Sequence, residues 1–388
     1  MKVPIDTASI NVGILGLAYM FVFTSFQTQG NMQQVVIKSI KIENPNFVVY
    51  GYTSLEILLR VFRHFQWLSP SCLSYLGPKS PCHWGITYAI FIAGFLWPQT
   101  VILYLTSVLV GAGAALIWTG QGNYLTLMST QKTMSRNSGI FWAMLQSSML
   151  FGNLFVFYQF MGKDVIDHHT RTIVFSALTV VGIIGIGIMC LLPKPGADGS
   201  GRADESLGSP FEALKKSFNL FRTKDMILLS ATFFYTGIEL SFFSGVYSAC
   251  LSSTLRFPDP KRLVGLSGMF IGAGEILVLI SLSSFHFSEV IAMMCSFLLG
   301  FGDACFNTQI YSILGTVYED NSGPAFALFK FTQSLSAAAC FFYSSVFELY
   351  WHLAVLVVFA TIGTLTFCSV EWRAHRRLKA KPDTTAFD

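Results

Sequence analysis

Residues Leu298–Gln309 read LLGFGDACFNTQ, within a run that is otherwise apolar from Ile291 to Val317. The run is long enough to cross a bilayer as a helix, which takes about 20 apolar residues. Asp303 lies in the middle of it, and Asn307 follows one helical turn later. A charged group at the centre of such a helix costs about 2.5–3.5 kcal/mol on insertion scales, so it predicts a functional position.

The composition of the whole chain indicates an integral, multi-pass membrane protein. Of its 388 residues, 53% are hydrophobic and 12% are charged, whereas a soluble domain averages about 25% charged residues. The lipid bilayer is therefore an expected partner, and nucleic acid is not, because the basic residues form no stripe with interleaved aromatics. No Cys or His cluster has metal-ligand spacing, so no metal or cofactor is expected. The sequence does not resolve whether this is the plasma membrane or an endomembrane.

Eleven apolar segments qualify as candidate spans: residues 11–31, 50–70, 84–97, 100–124, 138–160, 172–192, 226–251, 263–284, 289–316, 324–346 and 350–370. The second is the least apolar, because Glu56, Arg60 and His64 follow one another at i,i+4 spacing. These residues could form an internal salt-bridged face or mark a poorly inserted segment, and we favour the second interpretation.

A polar stretch divides the spans into two groups. It begins KPGADGSG at Lys194, a flexible composition, and continues FEALKKSFNLF, in which Phe211, Leu214, Phe218 and Phe221 share one helical face. We therefore predict an N-terminal six-helix bundle over residues 1–192, a cytoplasmic linker with a short amphipathic helix over 193–224, and a C-terminal bundle with a basic tail over 225–388.

The charges near span ends disagree with a count of eleven crossings. Lysines and arginines concentrate on the cytoplasmic side of membrane proteins, which places both the linker and the basic tail EWRAHRRLKAK there. Five spans separate these two segments, and five crossings would put them on opposite faces. One crossing is therefore missing, or one segment is re-entrant or lies in the interface.

The two halves carry similar sequences in the same order, which predicts a duplicated architecture. The pairs are GQGNYL (Gly120–Leu125) with ACFNTQ (Ala304–Gln309), FWAMLQSS (Phe141–Ser148) with LFKFTQSL (Leu328–Leu335), and FTSFQT (Phe23–Thr28) with YTGIEL (Tyr235–Leu240). Every first-half span except the third finds a partner. The missing crossing is therefore predicted near Ser281–Ser288, where the eighth span runs almost directly into the ninth.

These segments, and especially FTSFQTQGN (Phe23–Asn31), WTGQGNYLT (Trp118–Thr126), TGIELSFFSGVY (Thr236–Tyr247) and PAFALFKFTQS (Pro324–Ser334), resemble the uncoordinated-93-like branch of the major facilitator superfamily. The resemblance covers most of the chain. It implies an all-α fold of two helical bundles around a central cavity. It also implies that this chain has about 11 of the expected 12 transmembrane helices and lacks the ninth.

Polar residues inside the spans are the candidates for an ion or substrate site. Charged residues cluster in the second half, where the repeat sets Glu239, Asp303 and Lys330 opposite the neutral Gln27, Thr119 and Ala143. Lys330 could serve as the counter-charge of Asp303 or Glu239, either in a cavity that binds ions or in a purely structural pair. The candidate cavity residues are Asp303, Lys330, Glu239, Asn307, Gln333, Gln27, Gln121, Asn123 and Gln146. Glu275 is a weaker candidate, since it follows a small-residue face suited to helix packing.

Two functions remain open at this stage. One is a secondary-transporter-like carrier of a small solute that works by alternating access of two bundles. The other is a non-transporting accessory protein, either an ion-channel regulatory subunit or a trafficking chaperone, whose partner would be a membrane protein. No enzyme activity is expected, because the sequence shows no nucleophile–base or metal constellation.

Overall fold

The computed structural model describes residues 7–44, 47, 49, 53–76, 80–161, 166–195, 210–247, 266–271, 287–344 and 346–380. Its helices are α1 (Thr7–Glu43), α2 (Thr53–Leu76), α3 (Ser80–Ala93), α4 (Thr100–Leu127), α5 (Met134–Phe160), α6 (His168–Cys190), α7 (Pro210–Phe221), α8 (Lys224–Ser241), α9 (Phe287–Val317), α10 (Ser322–Ser344) and α11 (Leu349–Ala380). A further helical segment covers residues 266–271. The described part of the chain is thus all-α, as predicted.

The helix boundaries follow local chemistry. A short 3-10 turn, Gly94–Leu96, ends the third span immediately before Trp97-Pro98, because proline cannot continue the hydrogen-bond ladder of a helix. Seven helical segments in the described part are long and apolar enough to span a membrane, and α3 with its 3-10 turn forms a shorter apolar one. Although α2 is more polar, it is a continuous helix that packs against α4 and α10.

The packing of the helices reproduces the predicted repeat. Helix α1 packs against α5 and α6, and its counterpart α8 packs in the same way against α10 and α11. Glycines permit close approach in both halves: a Cβ on Gly185 would lie 2.7 Å from the backbone nitrogen of Val22, and one on Gly237 would lie 2.0 Å from the backbone oxygen of Gln333. Helix α3 packs against α1, α4 and α6, and no described helix occupies the equivalent place beside α8, α9 and α11.

The end of α11 lies beside the start of α8. Arg377 and Arg373 form ion pairs with Asp225 at 2.8 and 3.0 Å. Tyr318, which follows α9, lies at the same end: burial raises the pKa of its hydroxyl, and the nearby Asp225 carboxylate raises it further. We call this the linker end. Helix α8 therefore begins at the linker end, and α9 and α11 end there. The crossing predicted to be missing near Ser281–Ser288 falls largely outside the described residues.

The linker helix α7 lies against both halves, on α2 and α10. Trp67 of α2 contacts Phe221 of α7 and Phe331 of α10, with ring centroids 6.0 and 5.1 Å apart. The side of α7 that packs on the protein carries Ala213 and Ser217, while Phe211 and Phe218 are exposed. The predicted apolar face is therefore divided: Phe211 and Phe218 are exposed, whereas Phe221 packs on Trp67. The predicted domain boundaries remain a prediction.

Candidate functional site

A cavity of about 180 Å³ lies between the two bundles. Six of the nine predicted site residues line it: Gln27, Gln146, Asp303, Asn307, Lys330 and Gln333. They come from α1 and α5 in the first half and from α9 and α10 in the second. The cavity is therefore built jointly by the two halves, and Gln146 and Gln333 line it from positions that the repeat pairs with one another.

The two halves contribute different chemistry to the cavity wall. The first half supplies a cluster of aromatic rings, in which Tyr88 lies 4.8 Å from Phe26 and 5.4 Å from Phe23 between ring centroids. The second half supplies the charged side chains, Asp303 and Lys330. The cavity thus has an aromatic side and a charged side.

Asp303 accepts hydrogen bonds through both carboxylate oxygens. Asn307 Nδ2 donates to Oδ1 at 2.9 Å, and Gln146 Nε2 donates to Oδ2 at 3.4 Å. The second bond continues as a chain, because Gln27 Nε2 donates to Gln146 Oε1 at 3.2 Å and Ser148 Oγ donates to Gln27 Oε1 at 2.5 Å. This chain connects α1 and α5 of the first bundle to the carboxylate on α9.

Lys330 is held by aromatic faces. Its Nζ lies 4.3 Å from the ring centroid of Trp118 and 4.4 Å from that of Phe329, and it donates a hydrogen bond to Gln333 Oε1 at 2.9 Å. Trp142 and Tyr311 lie farther away, each with its ring centroid 5.8 Å from Nζ. Within the described part of the chain, no carboxylate forms an ion pair with this ammonium. In this arrangement the ammonium makes cation–π contacts, and its role as a counter-charge of Asp303 or Glu239 stays a prediction.

The remaining predicted residues lie outside the cavity wall. Glu239 is buried against α9, where a Cβ added to Gly302 would lie 3.0 Å from its Oε1. Gln121 Oε1 accepts a 2.8 Å bond from the Tyr311 hydroxyl, and Asn123 Oδ1 accepts one of the same length from Ser322 Oγ. Glu275 lies outside the described residues.

Gln121 and Asn123 belong to a tight seam between the bundles near the linker end. A Cβ on Gly122 would lie 2.4 Å from the Phe326 ring, and one on Gly315 would lie 2.2 Å from the terminal methyl of Met134. Gln131 Nε2 donates to Glu319 Oε2 at 3.5 Å beyond the seam. The two bundles are therefore in direct contact between the cavity and the linker end.

Sequence reasoning missed the rings around Lys330. Trp118 directly precedes the repeat position Thr119, and Trp142 directly precedes Ala143, the repeat partner of Lys330. Both tryptophans therefore stand next to positions that the repeat had already singled out. In a chain with 37 phenylalanines, however, ring content alone does not indicate which aromatics surround a cation.

Curated proteins with similar sequences cover nearly the whole chain. The chain is 40% identical to the UNC93-like protein MFSD11 of Xenopus laevis, over 96% of this chain and 98% of that protein. It is 25% identical to the UNC93-like protein 3 of Arabidopsis thaliana, over 90% of this chain and 83% of that protein. The Xenopus alignment runs over 439 positions, so that relative contains residues that this 388-residue chain lacks.

Solved structures share the fold at low sequence identity. The proton:xylose symporter XylE superposes with a TM-score of 0.64 at 10% identity, over 93% of this chain and 94% of that one. The human organic anion transporter MFSD10 gives a TM-score of 0.63 at 10% identity, over 95% and 100%. Both are described as transporters, and XylE as a major facilitator superfamily protein. At this identity the likeness establishes the fold alone.

The sequence profile described as "Ion channel regulatory protein UNC-93" matches residues 47–286 and 281–368. The two matched segments meet at residues 281–286, where the repeat predicts the missing helix. Together the matches cover most of the chain, and the Xenopus relative extends the similarity to nearly all of it. The chain therefore belongs to the UNC-93 family.

Proposed function

We propose that this protein is a secondary-transporter-like carrier that moves a small solute by alternating access of its two bundles. The observation that carries the proposal is the shared cavity, whose polar wall joins Gln27 and Gln146 of the first bundle to Asp303 of the second. A bond between a buried amide and a carboxylate depends on the relative position of the bundles. Binding of a solute that alters this hydrogen bond would therefore be coupled to movement of the bundles.

The seam supports the same proposal. Contacts between Gly122 and Phe326 and between Asn123 and Ser322 close the cavity toward the linker end. Polar bonds and small-residue contacts can separate at moderate cost, because they are local and few. A carrier needs a closure of this kind on each side of its site, so that one can open while the other holds.

The test is uptake by the purified full-length chain in proteoliposomes, with a panel of labelled amino acids, sugars, organic anions and organic cations. Asp303→Asn and Lys330→Ala should abolish the uptake shown by the unsubstituted chain while leaving folded yield unchanged. Gly139→Ala is the matched control, because a Cβ at Gly139 meets nothing within 4 Å. Absence of flux for the whole panel would contradict the carrier proposal, and equal loss of folding and uptake would indicate a structural pair.

A second candidate is a non-transporting accessory protein that regulates a channel or escorts a membrane protein. It is supported by the family description, and the exposed Met294, Leu298 and Phe301 of α9 provide a surface on which to test it. Stable co-purification of one channel or receptor, together with absence of flux, would support this candidate over the carrier. Leu298→Ser should then reduce co-purification without changing the folded yield.

A further inference from the structure

We infer that the cavity binds a small zwitterion of the amino-acid type, with an ammonium, a carboxylate and an apolar body. This inference names the substrate class of the carrier and so rests on the proposed function. It follows from two sets of buried polar atoms in the cavity wall, one of donors and one of acceptors, and from the aromatic rings that line the rest of the wall.

The donor set consists of Lys330 and Trp142. Both side chains line the cavity and are buried, with 4% and 6% of their surface exposed. Lys330 Nζ has one oxygen acceptor, Gln333 Oε1, and otherwise faces rings, which stabilise its charge but accept no conventional hydrogen bond. Trp142 Nε1 has no acceptor in the described part of the chain. Buried donors of this kind require an acceptor, and a ligand carboxylate supplies two oxygens and the opposite charge.

The acceptor set lies on α9. Asn307 Oδ1 is buried, has no donor in the described part of the chain, and belongs to a side chain that lines the cavity. The same amide donates through Nδ2 to Asp303, so its orientation is set by the carboxylate. Asn307 Oδ1 is therefore presented beside a negative charge, which is the arrangement that an ammonium group satisfies.

The aromatic side would hold the body of the ligand. Phe23, Phe26, Phe62 and Tyr88 all line the cavity from the first bundle. Ring faces and edges favour apolar or aromatic groups, which bury surface there without unmet hydrogen bonds. A ligand oriented in this way contacts both bundles at once.

Other solute classes leave part of the wall unsatisfied. A sugar supplies no charge to the Lys330 ammonium. An organic cation meets that ammonium as a like charge, and a simple organic anion leaves Asn307 Oδ1 without a donor beside Asp303. The difference in affinity between these solute classes should be large, because a buried polar group left without its partner costs the full desolvation free energy of that group.

The experiment measures binding to the purified full-length chain in lipid nanodiscs, separately from flux. Labelled leucine, phenylalanine and tryptophan serve as probes. Unlabelled phenylalanine, 2-phenylethylamine and 3-phenylpropionate serve as competitors that share one ring and differ in charge. Phenylalanine should compete at least about tenfold better than either single-charge analogue, a factor that corresponds to about 1.4 kcal/mol.

Two variants assign the donor and acceptor sets. Trp142→Phe keeps the ring and removes the N–H, so it should weaken phenylalanine and 3-phenylpropionate but not 2-phenylethylamine. Asn307→Ala should weaken phenylalanine and 2-phenylethylamine but not 3-phenylpropionate, and Gly139→Ala should change none of them.

The inference is overturned if a single-charge analogue matches phenylalanine, or if the folded chain binds none of the three amino acids at millimolar concentration. Zwitterion binding without flux would sustain it while contradicting the carrier proposal. Flux of a sugar or a simple ion without zwitterion binding would contradict the inference while supporting the carrier proposal.

Discussion

Gly122→Ala tests whether the seam is a closure that can open. A Cβ at this position would lie 2.4–2.6 Å from three carbons of the Phe326 ring, whereas ordinary van der Waals contacts lie at 3.4–4 Å. The bundles must therefore separate by roughly 1 Å, or the ring must leave its place, and overpacking of this size costs about 1–3 kcal/mol. If an alternative state without this contact exists, the population shifts toward it by about 5–150-fold.

The assay is disulfide cross-linking across the linker end. Gln131 and Glu319 approach to 3.5 Å between side-chain atoms, so Gln131→Cys with Glu319→Cys reports the closed seam in a background without the eight native cysteines. Gly122→Ala should slow cross-linking by at least about fivefold, and Gly139→Ala should leave it unchanged. Equal cross-linking rates in Gly122→Ala and the parent would show that the seam does not separate, and would refute the reasoning.

Three further predictions concern stability and topology. Gly237→Ala places a Cβ 2.0 Å from backbone of α10, so the melting temperature of the purified protein should fall, whereas Gly187→Ala, with open space around it, should leave that temperature unchanged. Thr119→Val removes a hydroxyl that bonds Ser69 at 2.8 Å in the buried contact between α2 and α4, and should cost about 1–3 kcal/mol in the free energy of unfolding. Asp225→Asn should make the end of α11 more sensitive to protease, with little change in melting temperature, because exposed ion pairs contribute about 0–1 kcal/mol. An unchanged melting temperature in Gly237→Ala or Thr119→Val would contradict the packing or hydrogen bond on which that prediction rests. Unchanged protease sensitivity in Asp225→Asn would contradict the role of its ion pairs in holding the end of α11.

Much of the fold could be predicted because membrane insertion depends on local composition. Apolar length locates the spans, and the pairing of Gln146 with Gln333 and of Asn123 with Asn307 indicates a repeat without any knowledge of contacts. The observed packing of α1 and α8 confirms this duplication. Hydropathy alone cannot say whether a segment crosses or turns back, so the missing crossing stays a prediction. The ion pairs of Asp225 show that the start of α8 and the end of α11 lie at the same end of the protein.

The candidate site was predicted in part. Asp303, Lys330 and the amides were recognised because polar atoms are costly in a span, and most of them do meet in one cavity. Their partners could not be predicted. Lys330 could reach a carboxylate or a ring with the same side-chain length, and the choice depends on which residues α4 and α5 present to α10.

The sequence by itself determined that the chain is embedded in a membrane, that its halves are related, and that the charged site candidates Glu239, Asp303 and Lys330 lie in the second half. These properties depend on the order and polarity of residues along single helices. Only the tertiary structure decided that the ammonium of Lys330 rests on Trp118 and Phe329 and that Gly122 closes the seam. Both depend on contacts between distant helices, which are set by the rotation and depth of each helix rather than by its composition.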